Sequence, residues 1–170
     1  MIFNSKANAS EKILLGRKLF FRFGGNTHYM WQEGVYNEYK KLKIPKEIEK
    51  MWRQELFEDT KKQLHNETSI YKKVILVGTL LNYGINTDVV VSIIVDLLNS
   101  EIDTFSKILL CEELKRCFYN EKNTSGLIEI LEMQKQNMLS KDITIDEKYF
   151  LNMSGYDFSD FNIRKRINAL

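Results

Sequence analysis

Residues 11–23 (EKILLGRKLFFRF) form an apolar run of mixed period, compatible with a helix or with the start of a short hairpin. Gly24-Gly25 ends it, because glycine takes positive φ at little steric cost. Asn26 or Thr27 then reads as an N-cap, and Trp31, Val35, Tyr39 and Leu42 follow at helical spacing. Pro45 suits the first turn of the next helix, which places Ile48, Met51, Trp52 and Leu56 on one face and runs to about His65. A further segment, Ile70 to Asn82, stops at Gly84 as its C′ residue. Thr87 or Asp88 caps the helix after it, whose only polar positions before its end are Ser92 and Asp96. A helix so apolar is expected at the centre of a core. Asp103 or Thr104 opens a helix through Phe118, and Thr124 or Ser125 opens another through Leu139. Residues 141–158 are irregular and mixed in charge, and Phe161 to Leu170 can form a last short helix.

Six or seven helices with short connections predict an all-α fold, a compact helical bundle forming one domain over residues 1–170. The one alternative is a small β-hairpin near the N-terminus, within residues 11–25. A single Pro and eight Gly support long helices over a turn-rich β architecture. There is no internal repeat and no Pro/Gly/Ser linker. A chain of 170 residues buries roughly 68–70% of its unfolded surface, so it needs no metal or disulfide to be stable. Cys111 and Cys117 lie six apart, which on a helix points them about 120° away from each other and rules out a mutual disulfide. They read as two buried thiols in a reducing compartment. The opening MIFNSKANASEK has no apolar core of a secretory signal, and the run Val89 to Leu98 is about half a membrane span. A cytoplasmic location is expected.

The net charge of +2 is unevenly spread. Residues 1–50 carry ten Lys/Arg against five Glu, whereas residues 101–163 carry seven against twelve Asp/Glu. A short basic tail follows: Arg164, Lys165 and Arg166. Such asymmetry is compatible with two faces that meet different partners, and equally with solvated surface.

Candidate chemistry is sparse. Of the two histidines, His28 follows the Gly-Gly turn, where it is either a turn residue or the centre of an unrecognised site. His65 lies near a helix C-terminus, where the macrodipole favours positive charge. There is no G-x-S-x-G, no phosphate-cradling loop, and no cysteine with a histidine nearby in sequence. Asp142, Asp146 and Glu147 form a carboxylate cluster without the EF-hand pattern. Glu55 and Asp59, four apart on a helix, read as surface charge. No catalytic residue, metal or cofactor is assigned, and binding of a macromolecule is the expected mode of action.

Two surfaces are candidates for that binding. Lys40, Lys41, Lys43, Lys46 and Lys50 are interleaved with Tyr36 and Tyr39, a pattern that can neutralise phosphates and stack bases. Glu38, Glu47 and Glu49 dilute it, and a pI near 8.4 falls short of a strongly basic nucleic-acid module. In the acidic second half, aromatic residues adjoin carboxylates: Asp142, Asp146, Glu147 and Tyr149, then Tyr156, Asp157, Phe158 and Asp160. Aromatic anchors beside charge have hot-spot composition, and carboxylates would steer a basic protein partner. The same aromatics could instead dock an irregular segment onto the core.

The stretch FRFGGNTHYMWQEGVYNEYKKLKIPKEIEKMWRQEL, residues 21–56, is similar to the N-terminal block of small helical immunity proteins from bacterial toxin–immunity systems, including contact-dependent growth inhibition. It covers about a fifth of the chain and contains no catalytic signature. The resemblance implies a cytosolic inhibitor that binds one cognate toxin domain, often a nuclease, and blocks its active site. Because a nuclease must be basic to hold nucleic acid, such an inhibitor is expected to present carboxylates, as residues 101–163 could.

Overall fold

A computed structural model describes residues 8–118, 125–144 and 159–170. Among them the chain is all-α, and its contacts cluster into two compact units, Met1–Gln63 and Leu64–Leu170.

The first unit contains α1 (Ala9–Arg22), α2 (Thr27–Gln32), α3 (Tyr36–Lys41) and most of α4 (Lys46–Asn66). The hairpin alternative for residues 11–25 does not form. A reciprocal capping box decides it: the Asn8 side chain accepts the Glu11 N–H, and the Glu11 carboxylate accepts the Asn8 N–H, both at 2.9 Å. Phe20 is the inward residue of α1 and stands 5.5 Å from Trp52 and 6.4 Å from Tyr39 by ring centroid. With Met30 and Leu42 they make the buried cluster, flanked by Leu19, Ile48 and Leu56. Burial of each large side chain stabilises the unit by roughly 1.5–3 kcal/mol.

The single helix expected over residues 26–42 is two helices. Gly34 has φ 69°, and the Val35 N–H donates to Met30 O while the Gly34 N–H donates to Trp31 O. This is a Schellman ending, which stops α2 after six residues. The same pair of bonds, Gly25 N–H to Phe20 O and Gly24 N–H to Phe21 O, ends α1.

The second unit contains α5 (Ile70–Asn82), α6 (Thr87–Leu98), α7 (Thr104–Phe118), α8 (Ser125–Leu139) and α9 (Asp160–Ala169). The central helix is α7, packed on α5, α6, α8 and α9. It buries Phe105, Ile108, Leu110, Cys111, Leu114 and Cys117. The expectation that α6 lies at the centre is therefore corrected. In α6 only Val90, Ile94 and Leu98 are fully buried, while Asp88, Ser92 and Asp96 follow one another along an exposed strip. Helix α9 docks through Ile163 and Ile167, and Arg166 grips the Glu112 carboxylate of α7 with its Nε and Nη2 groups. The Lys115 and Lys135 ammoniums donate to the Ala169 and Asn168 carbonyls at 2.9 and 3.0 Å, placing positive charge at its C-terminal dipole.

Both cysteines are free and buried, as expected. Among the described residues no helix is long and apolar enough to cross a membrane.

Candidate functional site

Of the acidic and aromatic residues expected to meet a partner, Asp142 is described. Asp146, Glu147, Tyr149, Tyr156, Asp157 and Phe158 lie outside the described residues, and Asp160 begins α9. Asp142 is exposed and lines a cleft of about 430 Å³ with Glu101 and Asp103, flanked by Lys107 and Lys141.

A local clamp builds that arrangement. Asp103 caps α7 by accepting both the N–H and the hydroxyl of Ser106. The next residue, Thr104, donates its N–H to Thr144 O at 2.8 Å, and the Thr144 N–H returns a bond to Thr104 Oγ1 at 3.0 Å. This exchange, one bond to a backbone carbonyl and one to a side-chain hydroxyl, ties the segment after α8 to the start of α7. Two carboxylates of the α6–α7 connection, Glu101 and Asp103, and Asp142 from the segment after α8 consequently line one cleft, without converging as metal ligands would. Among the described residues no group of three or more His, Cys, Asp or Glu side chains could hold a metal.

The basic stretch of the first unit divides differently from its sequence pattern. Lys40, Lys41, Lys43, Lys46 and Lys50 are exposed. Tyr39 is buried in the core cluster and donates its hydroxyl to Glu49 Oε1 at 2.6 Å. Burial first, and then the bond to Glu49, raise its pKa and keep it a neutral donor. Tyr36 is half-buried against the same cluster. The interleaved tyrosines are thus packing residues, and Tyr39 offers no face to a base.

Three other aromatic residues are in the open. Trp31 is 67% exposed and Tyr29 52%. His28, also exposed, lies 6.3 Å from Trp31 with the rings 20° from parallel, and 6.2 Å from Tyr29. Asn26 fixes the start of α2 by accepting the N–H groups of His28 and Tyr29. Met30, fully buried, fastens the helix from below. Helical spacing alone would set Trp31 on one face with Val35 and Tyr39, a reading the structure does not follow. The signal against that reading was Gly34: once the helix stops there, the inward position falls to Met30, and residues 28, 29 and 31 are turned outward. The paired carboxylates of α4 are surface charge, with Glu55 bridged to Arg17 and Asp59 set 4.0 Å from Lys62.

Comparison with known proteins adds no relative. No family model matches the chain, and neither a characterised protein nor a solved structure is detectably similar to it.

Proposed function

We propose that this chain is a helical immunity protein of the bacterial toxin–immunity type, acting in the cytoplasm by binding a cognate toxin domain and covering its active site. It works as a stoichiometric plug, without turnover of a substrate. The target best matched by the charge of its second unit is a basic nuclease domain.

The observation that carries the reading is the acidic balance of the second unit, with three carboxylates against two lysines along its cleft. That unit has twelve Lys/Arg against fifteen Asp/Glu, and the Thr104–Thr144 clamp holds Asp142 beside Glu101 and Asp103. In sequence the clamp leads directly into residues 145–158, which add Asp146, Glu147, Tyr149, Tyr156, Asp157 and Phe158. Carboxylates of this kind raise the encounter rate with a basic surface, and neighbouring aromatic rings give it residence time. Chemistry at His28 has less support, because its ring stacks on Trp31 at an exposed surface.

The test is co-purification with the product of the adjacent upstream gene, together with survival of cells expressing that product. A one-to-one complex and protection are expected. Charge reversal at Glu101 and Asp142, which leaves the Asp103 cap intact, should slow association in a salt-dependent way. No complex and no protection would remove the proposal.

A further inference from the structure

The aromatic rings of α2 belong to the unit with the opposite charge, and the toxin contact just proposed makes no use of them. A rigid frame presents them: the Asn26 cap, the buried Met30 and a Schellman turn on either side of the helix. Large apolar rings in water are unfavourable, and a cluster of them on a fixed element marks a surface that is covered in use. Little ordering cost remains to be met on binding, because the backbone beneath them is already set.

Charge decides what the cover is. The first unit carries thirteen Lys/Arg against eight Asp/Glu. Helix α3 packs against α2 and presents Lys40 and Lys41, with Lys43 just beyond, all exposed. Glu33, the C-cap of α2, and Glu38 of α3 only partly offset them. A basic protein would be repelled. A polyanion with free, flat bases satisfies both features, since bases stack on aromatic side chains while lysines neutralise phosphates. The geometry points to single-stranded nucleic acid as the occupant, with bases on Trp31, Tyr29 and His28 and phosphates at Lys40, Lys41 and Lys43. A duplex keeps its bases stacked on each other and can engage only the lysines.

The experiment uses the full chain and fluorescently labelled oligothymidylate and oligouridylate of about 12 nucleotides, within the span of single-strand sites. Anisotropy should report binding at low salt that weakens steadily as salt is added. Trp31→Ala should loosen it by roughly tenfold, and reversal of Lys40, Lys41 and Lys43 to Glu should flatten the salt dependence. Bound strand should quench Trp31 emission, with the buried Trp52 as a constant background. Because Trp31 projects from the surface, the variant should keep the wild-type circular dichroism and unfolding midpoint. Absence of binding at low salt would overturn the inference. So would wild-type affinity in Trp31→Ala, or equal affinity for a duplex of the same length. Toxin protection is read separately, so either reading can fail while the other stands.

Discussion

Replacing Gly25 by Ala tests the frame that presents α2. Gly25 has φ 68°, and its N–H closes the end of α1 on Phe20 O at 2.8 Å. An alanine Cβ there would sit 2.6 Å from Phe20 Cζ and 2.9 Å from Phe20 Cε1. Two penalties follow. The left-handed backbone costs a side-chain-bearing residue about 1–2 kcal/mol. The ring then has to move, and Phe20, only 2% exposed, is confined by Trp52 and Tyr39. Forcing extra volume into such a site costs about 1–3 kcal/mol, for a total of about 2–5 kcal/mol.

Gly34 supplies the control. Its φ is 69°, yet a Cβ added there meets no heavy atom within 4 Å. Gly34→Ala should therefore carry only the backbone penalty, about 1–2 kcal/mol. The smaller entropy of the unfolded alanine chain is common to both variants and cancels between them. Urea unfolding, followed by circular dichroism and tryptophan fluorescence, should separate the two by about 1–3 kcal/mol. Trp52 emission should shift in Gly25→Ala alone, because the displaced ring packs on it. Equal destabilisation would refute the packing of Phe20 against the turn. Wild-type stability in both would refute the left-handed turns themselves.

Lys43 holds φ 51°, a strained value for a lysine, so Lys43→Gly should raise stability by about 0.5–1 kcal/mol in the same titration, and a loss would contradict that backbone. Glu67 accepts the N–H groups of Ser69 and Thr68, at 2.8 and 2.9 Å, and the Ser69 bond first of all lowers its pKa. Its stabilising effect is present above the ordinary glutamate value and is lost as pH falls through the lowered folded value. Unfolding measured across an acid pH series should lose this dependence in Glu67→Gln, and parallel curves for the two proteins would refute it. The Cys111 thiol is pushed up to about 12, chiefly by burial and then by the Glu112 charge. With Cys117 buried as well, an aromatic disulfide reagent at about pH 8 should label the chain only as fast as it opens. Immediate labelling of either thiol would contradict the α7 core.

The parts legible in the sequence were those set by local chemistry. Gly84 ends α5 with φ 64°, Asp103 caps α7, and α4 starts directly after Pro45, each where the residue type alone requires it. The capping box at Asn8 and Glu11 was equally local, and reading it would have settled the question of the N-terminal hairpin. What sequence periodicity could not rank was position in three dimensions. Helix α6 is the more apolar, yet α7 occupies the centre. The charges of α7 are absorbed pairwise: Glu112 is held by Arg166, and Glu113 is bridged to Arg116, which also reaches Asn82. Hydropathy counts such residues as surface alone, because it registers neither the local Glu113–Arg116 bridge nor the Arg166 and Asn82 contacts that come from far away in sequence.

The same limit hid the aromatic surface. Trp31, Val35, Tyr39 and Leu42 keep helical spacing, and a glycine inside a helical pattern is tolerated often enough to be passed over. Gly34 becomes a terminator only because Val35 N–H finds Met30 O and the Val35 side chain finds the core. Tyr39 and Trp31, two aromatics in one apparent stripe, therefore end in opposite environments, one bonded to Glu49 inside the unit and one in water. A binding surface made this way leaves no motif, since its residues are ordinary core formers and only the turn beneath them decides which way they face.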